Sequence, residues 1–243
     1  CTPKDVSARE MAEMMVGVSF NAAMRSARPT GDAALTVEGL SLKASSQFGT
    51  SLKDITFTLR QGEVLGIGGV AGNGQDELLS ALSGETATDP GSITLHGQDV
   101  SRLGPNGRRR LGLLSAPEER LGHAAAPNMS LVENAALTGA ERQGLLSGGF
   151  LNWPAARGFT KNVISGFDVR TPGPQVAARS LSGGNLQKFV IGREMLQKPD
   201  VLVVNQPTWG VDAAAAAAIR QAILDLATNG AAVLCISQDL DEL

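Results

Sequence analysis

Residues 68–79 read GGVAGNGQDELL, with the strand-like run EVLGIGG leading into them and the helical pattern DELLSALSG leading out. Strand, glycine loop and helix in that order are the setting of a phosphate-binding loop. The glycines let successive backbone N–H groups converge on an anion, and the helix N-terminus stands behind them. The loop runs Gly69, Val70, Ala71, Gly72, Asn73, Gly74, Gln75, Asp76. Against the pattern G-x-x-x-x-G-K-[ST], Gln75 stands where a lysine reaches the phosphates, and Asp76 stands where a hydroxyl holds Mg²⁺. Two charges about 4 Å apart interact by roughly 4 kcal/mol at an effective dielectric near 20, so exchanging attraction for repulsion predicts weak triphosphate affinity. Glycine spacing alone is a weak signal, and a tight strand-to-helix turn without a ligand is the other reading of this loop.

A second stretch narrows the choice. Residues 181–188 read LSGGNLQK and open a helix whose Leu186, Phe189, Val190 and Leu196 keep helical spacing. Ser182 is placed to cap that helix, and Gly183 and Gly184 bare its N-terminal amides, which makes the end an anion receptor. The chain continues through PDVLVV, a continuous aliphatic run that predicts a buried strand. Asn205, Gln206, Pro207, Thr208, Trp209, Gly210, Val211 and Asp212 follow, then a helix opened by Asp212 and closed by Gly230, then the buried strand AAVLCIS. Strand, helix and strand of these lengths predict a right-handed parallel crossover.

This order of motifs resembles the nucleotide-binding domain of ABC transporters. The phrases GVAGNGQ, APEERLGH, LSGGNLQK, QPTWGVD and ISQDLDEL are similar, over nearly all of residues 35–243, to the second domain of the tandem ATP-binding subunit in bacterial importers of simple sugars and nucleosides. The resemblance implies an α/β fold, a P-loop NTPase core of the ABC type with an antiparallel β subdomain and a helical subdomain. Residues 1–31 are expected to be the tail of a preceding domain plus linker, and residues 32–243 the nucleotide-binding domain, with its helical part at about 118–180.

Carried over position by position, the family pattern is broken in several places. The aspartate that organises Mg²⁺ is Asn205, the adjacent glutamate that polarises water is Gln206, and the switch histidine is Gln238. Together with Gln75 and Asp76, five active-site positions depart. An amide keeps the shape of a carboxylate but accepts no proton near neutral pH and offers no charge to a metal. Little remains for phosphoryl transfer, which relies on positioned charge. The Q-loop glutamine corresponds to Glu118, and Phe48 is the candidate for stacking on adenine, with a core aromatic as its other reading.

The resemblance also implies why the signature persists. Two such domains pair head to tail, so Ser182, Gly183, Gly184 and Asn185 complete the ATP site of the partner domain. Asp212 would lie in the D-loop at that interface, besides capping its helix. The expected cofactors are ATP, bound weakly here or supplied at the shared interface, and Mg²⁺ at the partner's site. Expected partners are the first nucleotide-binding domain of the same subunit, transmembrane permease subunits docking near residues 117–128, and indirectly a solute-binding protein.

Composition agrees with these expectations. Lys and Arg number 21 against 24 Asp and Glu, a net charge of -3, so no bulk positive field argues for nucleic acid. Two cysteines, Cys1 and Cys235, support neither a disulfide framework nor a metal knuckle. No apolar run is long enough to cross a bilayer, and the expected location is cytoplasmic, peripheral on the inner face of the membrane. Residues 7–18 carry a Met-striped helical pattern that either docks on its own core or ends an upstream domain. Residues 130–196 read as mainly helical, starting with a capping box of Ser130 and Glu133. Two other functions stay open: an active ATPase with an unusual site, and a soluble tandem ABC protein of the ribosome-associated kind. The second typically keeps working Walker motifs and a basic linker, and neither is seen.

Overall fold

The computed structural model describes residues 29–44, 47 and 49–239; the Met-striped stretch and Phe48 lie outside them. The chain opens with β1 (Ala33–Leu42) and β2 (Leu52–Arg60), an antiparallel pair. Their alternation buries Leu35, Val37, Leu40 and Leu59 while Glu38, Lys53 and Asp54 stay exposed. Gly62 at φ 75° turns the chain out of this sheet before the next strand, β3 (Val64–Gly68). β3 instead becomes an edge of a parallel sheet.

After β3 come α1 (Gln75–Ser83), β4 (Ile93–Leu95) and β5 (Gln98–Asp99). The last two form a hairpin turned by His96 and Gly97, both at positive φ, and they extend the first sheet to the order β2-β1-β4-β5. A short helix, α2 (Pro105–Arg110), precedes β6 (Leu113–Ala116). Arg108 on α2 is wholly buried and donates to the carbonyls of Ala81 and Leu82 at the C-terminal end of α1, and to Ser101. Burial pushes its pKa down to about 10, so it stays charged at neutral pH.

The helical portion contains α3 (Leu131–Gly139), a small hairpin of β7 (Leu146–Ser147) and β8 (Phe150–Leu151), α4 (Trp153–Gly166) and α5 (Gly183–Met195). The Ser130–Glu133 capping box is present as expected. The hairpin was not foreseen; Gly148 and Gly149, both at positive φ, make its turn. The chain ends in β9 (Val201–Asn205), α6 (Ala213–Thr228) and β10 (Ala232–Ser237). β9 and β10 pair in parallel, and the full order is β3-β10-β9-β6.

Both faces of this parallel sheet are covered. Val201, Val203, Leu234 and Ile236 pack toward the antiparallel sheet and α1, while Leu202, Val204, Val233 and Cys235 pack toward the helices. That is why β9 and β10 read as unbroken aliphatic runs rather than alternating ones. Among the described residues no helix is long and apolar enough to cross a membrane. The sheets bring three things to one side: the loop after β3, the end of β9 and the start of α5.

Candidate functional site

The loop between β3 and α1 has the backbone of an anion cradle. Gly72 and Gly74 take φ 82° and 101°, and Gly74 packs so tightly that a Cβ there would meet Leu52 Cδ2 at 2.9 Å. The cradle is filled by its own chain. The Gln75 carboxamide folds back, donating from Nε2 to the Val70 carbonyl at 2.9 Å and accepting from the Asn73 N–H at 2.9 Å. Its Nε2 lies 2.8 Å from where a Cβ on Gly69 would stand, so the side chain lies directly over that glycine. An amide oxygen therefore takes the Asn73 N–H that a phosphate oxygen needs.

Asp76 sits one residue along α1 and accepts from Asn205 Nδ2 at 3.0 Å. Asn205 is buried at the end of β9, and its Oδ1 has no hydrogen-bond partner. The two departures compensate each other: an aspartate at 205 would bring a second carboxylate against Asp76, whereas the amide donates to it. Gln206 is buried at φ 53°, its N–H donating to the Ile236 carbonyl at 2.8 Å and its Oε1 within 3.5 Å of Ser237 Oγ. It is held in place, yet no group on it can serve as a base.

These residues share a cleft of about 920 Å³. Gly72, Gln75, Asp76, Asn205 and Gln206 line it together with Glu118, Arg120, His123, Gly183 and Trp209, and Gln238 is exposed at its margin. Burial, with the charge of Asp76 adding to it, holds the Glu118 carboxyl above the usual range. Two carboxylates thus face the space that a triphosphate would need. Among the described residues no cluster of acidic, histidine or cysteine side chains can hold a metal ion.

The LSGG helix differs from its expectation in one detail. Ser182 occupies the N-cap position of α5 but makes no capping bond to the backbone; its Oγ accepts from Asn185 Nδ2 at 2.9 Å. Asn185 Oδ1 in turn accepts from the Arg170 N–H at 2.8 Å. The first-turn amides of α5 are therefore left without a side-chain acceptor of their own. Gly184 lies against Gly210 and Val211. Asp212 caps α6 as expected, accepting from the Ala215 N–H at 2.9 Å.

Sequence reasoning missed the polar residues that fix these elements. Gln187 on α5 is buried and donates to the carbonyls of Gln206 and Pro207. Arg109 and Arg193 both bond to the buried Glu194 at 2.7 Å. Burial opposes the charge of Glu194, but the two arginines hold its carboxyl below the usual range. The available signal was weak: a charged pair inside a helix reads as a solvated face until the packing on every side is known.

Comparison with known proteins gives the family. The model for the ABC transporter family matches residues 52–209. The chain is 37% identical over 241 residues to the nucleoside import ATP-binding protein NupA of Lactococcus lactis, covering 98% of this chain and 47% of that protein. It is 38% identical over 244 residues to the glucose import ATP-binding protein TsgD13 of Haloferax volcanii, covering 98% and 44%. It spans a little under half the length of these relatives. A dimeric bacterial ABC transporter cassette, MJ0796, has a TM-score of 0.69 at 16% identity, covering 86% of this chain and 89% of that one, which shows the fold. A nucleotide-free ATP-binding cassette from an ABC transporter scores 0.64 at 19% identity, covering 86% and 82%. The chain belongs to the ABC transporter family.

Proposed function

We propose that this chain is a degenerate, non-catalytic nucleotide-binding domain, the second of two in the ATP-binding subunit of a sugar or nucleoside importer. The observation that carries the reading is Gln75 bonding across its own loop beside the Asp76–Asn205 pair. The residues present do not fit MgATP: the cradle amide is taken, the lysine is replaced by an amide, and Asp76 and Glu118 add negative charge. No catalytic step is therefore assigned to this cleft. The names of the relatives, which import nucleosides, guanosine and glucose, support an importer and leave the solute to the permease.

In this reading Ser182, Gly183, Gly184 and Asn185 contact the ATP held by the first domain of the same subunit, where Mg²⁺ also resides. The bare first turn of α5 supplies N–H groups and the positive end of the helix dipole to its γ-phosphate. Asp212 and its neighbours face the same interface, and residues 117–128 meet the permease. The subunit lies at the cytoplasmic face of the membrane through that contact. The test is hydrolysis: the 243-residue chain alone turns over no ATP, while the full-length subunit does. Turnover by the chain alone refutes the reading and favours an active ATPase with an unusual site.

A further inference from the structure

Arg120 reaches from the loop after β6 into a narrow slot between the start of α5 and the turn that follows β9. Its Nη2 donates to the Trp209 carbonyl at 2.6 Å, and its Nε donates to Gln187 Oε1 at 3.0 Å. Two glycines make the slot. A Cβ on Gly183 would stand 2.6 Å from Nη1, and a Cβ on Gly210 would stand 2.7 Å from Nη2. Gln187 completes the tie by donating to the carbonyls of Gln206 and Pro207 at 3.2 and 3.0 Å. One planar fork thus bonds in two directions at once, which a lysine ammonium on a flexible stem does not reproduce. Burial lowers the Arg120 pKa, and the nearby Glu118 opposes that shift.

We propose that Arg120 is a positioning residue: its guanidinium locks the LSGG helix and the 207–212 turn into one rigid unit, and couples that unit to the segment carrying Glu118. The coupling to the partner domain's ATP rests on the function proposed above; the lock itself does not. Movement of residues 117–128 then shifts both interface elements together rather than one at a time.

The test is amide hydrogen exchange on the 243-residue chain without nucleotide. Trp209 and Val211 donate backbone hydrogen bonds within the turn, to Gln206 and Thr208, and report its opening. Replacing Arg120 by Gln removes a charged hydrogen bond and is expected to speed exchange across 207–212 about tenfold, with β9 unchanged. Arg120→Lys is expected to do nearly the same, because charge without the fork does not restore both bonds. Gln187→Ala should loosen the same turn. Wild-type protection in Arg120→Lys, or in all three variants, overturns the proposal. Should Arg120→Gln fail to fold, Arg120→Lys decides. ATP binding at Gln75 would sink the functional reading while leaving this result unaltered.

Discussion

The two glycine-led helix starts, α1 and α5, use one device for opposite ends. Each bares backbone N–H groups at the positive end of a helix. At α1 the Gln75 side chain takes the Asn73 N–H of the loop, and Asp76 and Glu77 lie in the first turn, so the dipole is answered by acidic charge although no side chain caps the helix. At α5 the first turn carries no acid and no backbone capping bond, because Ser182 and Asn185 engage each other. Negative side-chain charge faces the first and is lacking in the first turn of the second. The backbones that lead in differ, a left-handed Gly74 before α1 and an extended Ser182 before α5, and the side chains of the first turns differ in charge.

The comparison is broken most severely through the anchor of α5. Glu194→Ala leaves Arg109 and Arg193 facing a buried void and is expected to cost about 3–5 kcal/mol in chemical denaturation, far more than any change at α1. The same group contributes to the domain's acid sensitivity. Because Glu194 is held below its ordinary value of 4.5, its contribution is present above that value and is lost as pH falls through the lower folded-state pKa. Denaturation midpoints followed downward from pH 6 should fall more steeply in the wild type than in Glu194→Gln.

At α1 the sharper test is Asn205→Asp. It sets a second carboxylate against Asp76 and should destabilise the chain by about 2 kcal/mol at neutral pH, with Asp76→Ser in the same chain recovering most of it. Additive losses in that cycle would mean that the pair is not coupled.

Asn185→Asp places an acid in the bare first turn of α5. Stability should rise by about 0.5 kcal/mol through the helix dipole, while hydrolysis by the full-length subunit falls. A variant that is more stable and equally active would show that no anion approaches this turn. At α6, away from both glycine-led helix starts, Asp212→Ala removes one cap and costs about 1 kcal/mol.

Much of this was legible beforehand because it depends on local rules. β9 and β10 declared themselves as unbroken aliphatic runs, Ser130 and Glu133 as a capping box, Asp212 as a cap, and the three motifs as an ordered set. What the sequence hid depends on distant chain. β3 looks like the continuation of β2, and only its pairing with β10 moves it to another sheet. In the sequence Gln75 stands where a lysine is expected, and only the structure shows that its amide bends back onto Val70 and Asn73. Asn205 was read as a lost metal ligand, and the structure adds that it donates to Asp76. Arg120 and Gln187 had no periodicity to mark them, since their partners are backbone carbonyls and each other.

The most direct measurement is isothermal calorimetry of ATP on this chain, with and without Mg²⁺. A self-filled cradle beside Asp76 predicts no heat or millimolar affinity, unchanged by Mg²⁺. Micromolar, Mg²⁺-dependent binding would contradict the account, because it requires Gln75 to leave its loop and Asp76 and Asn205 to hold a metal.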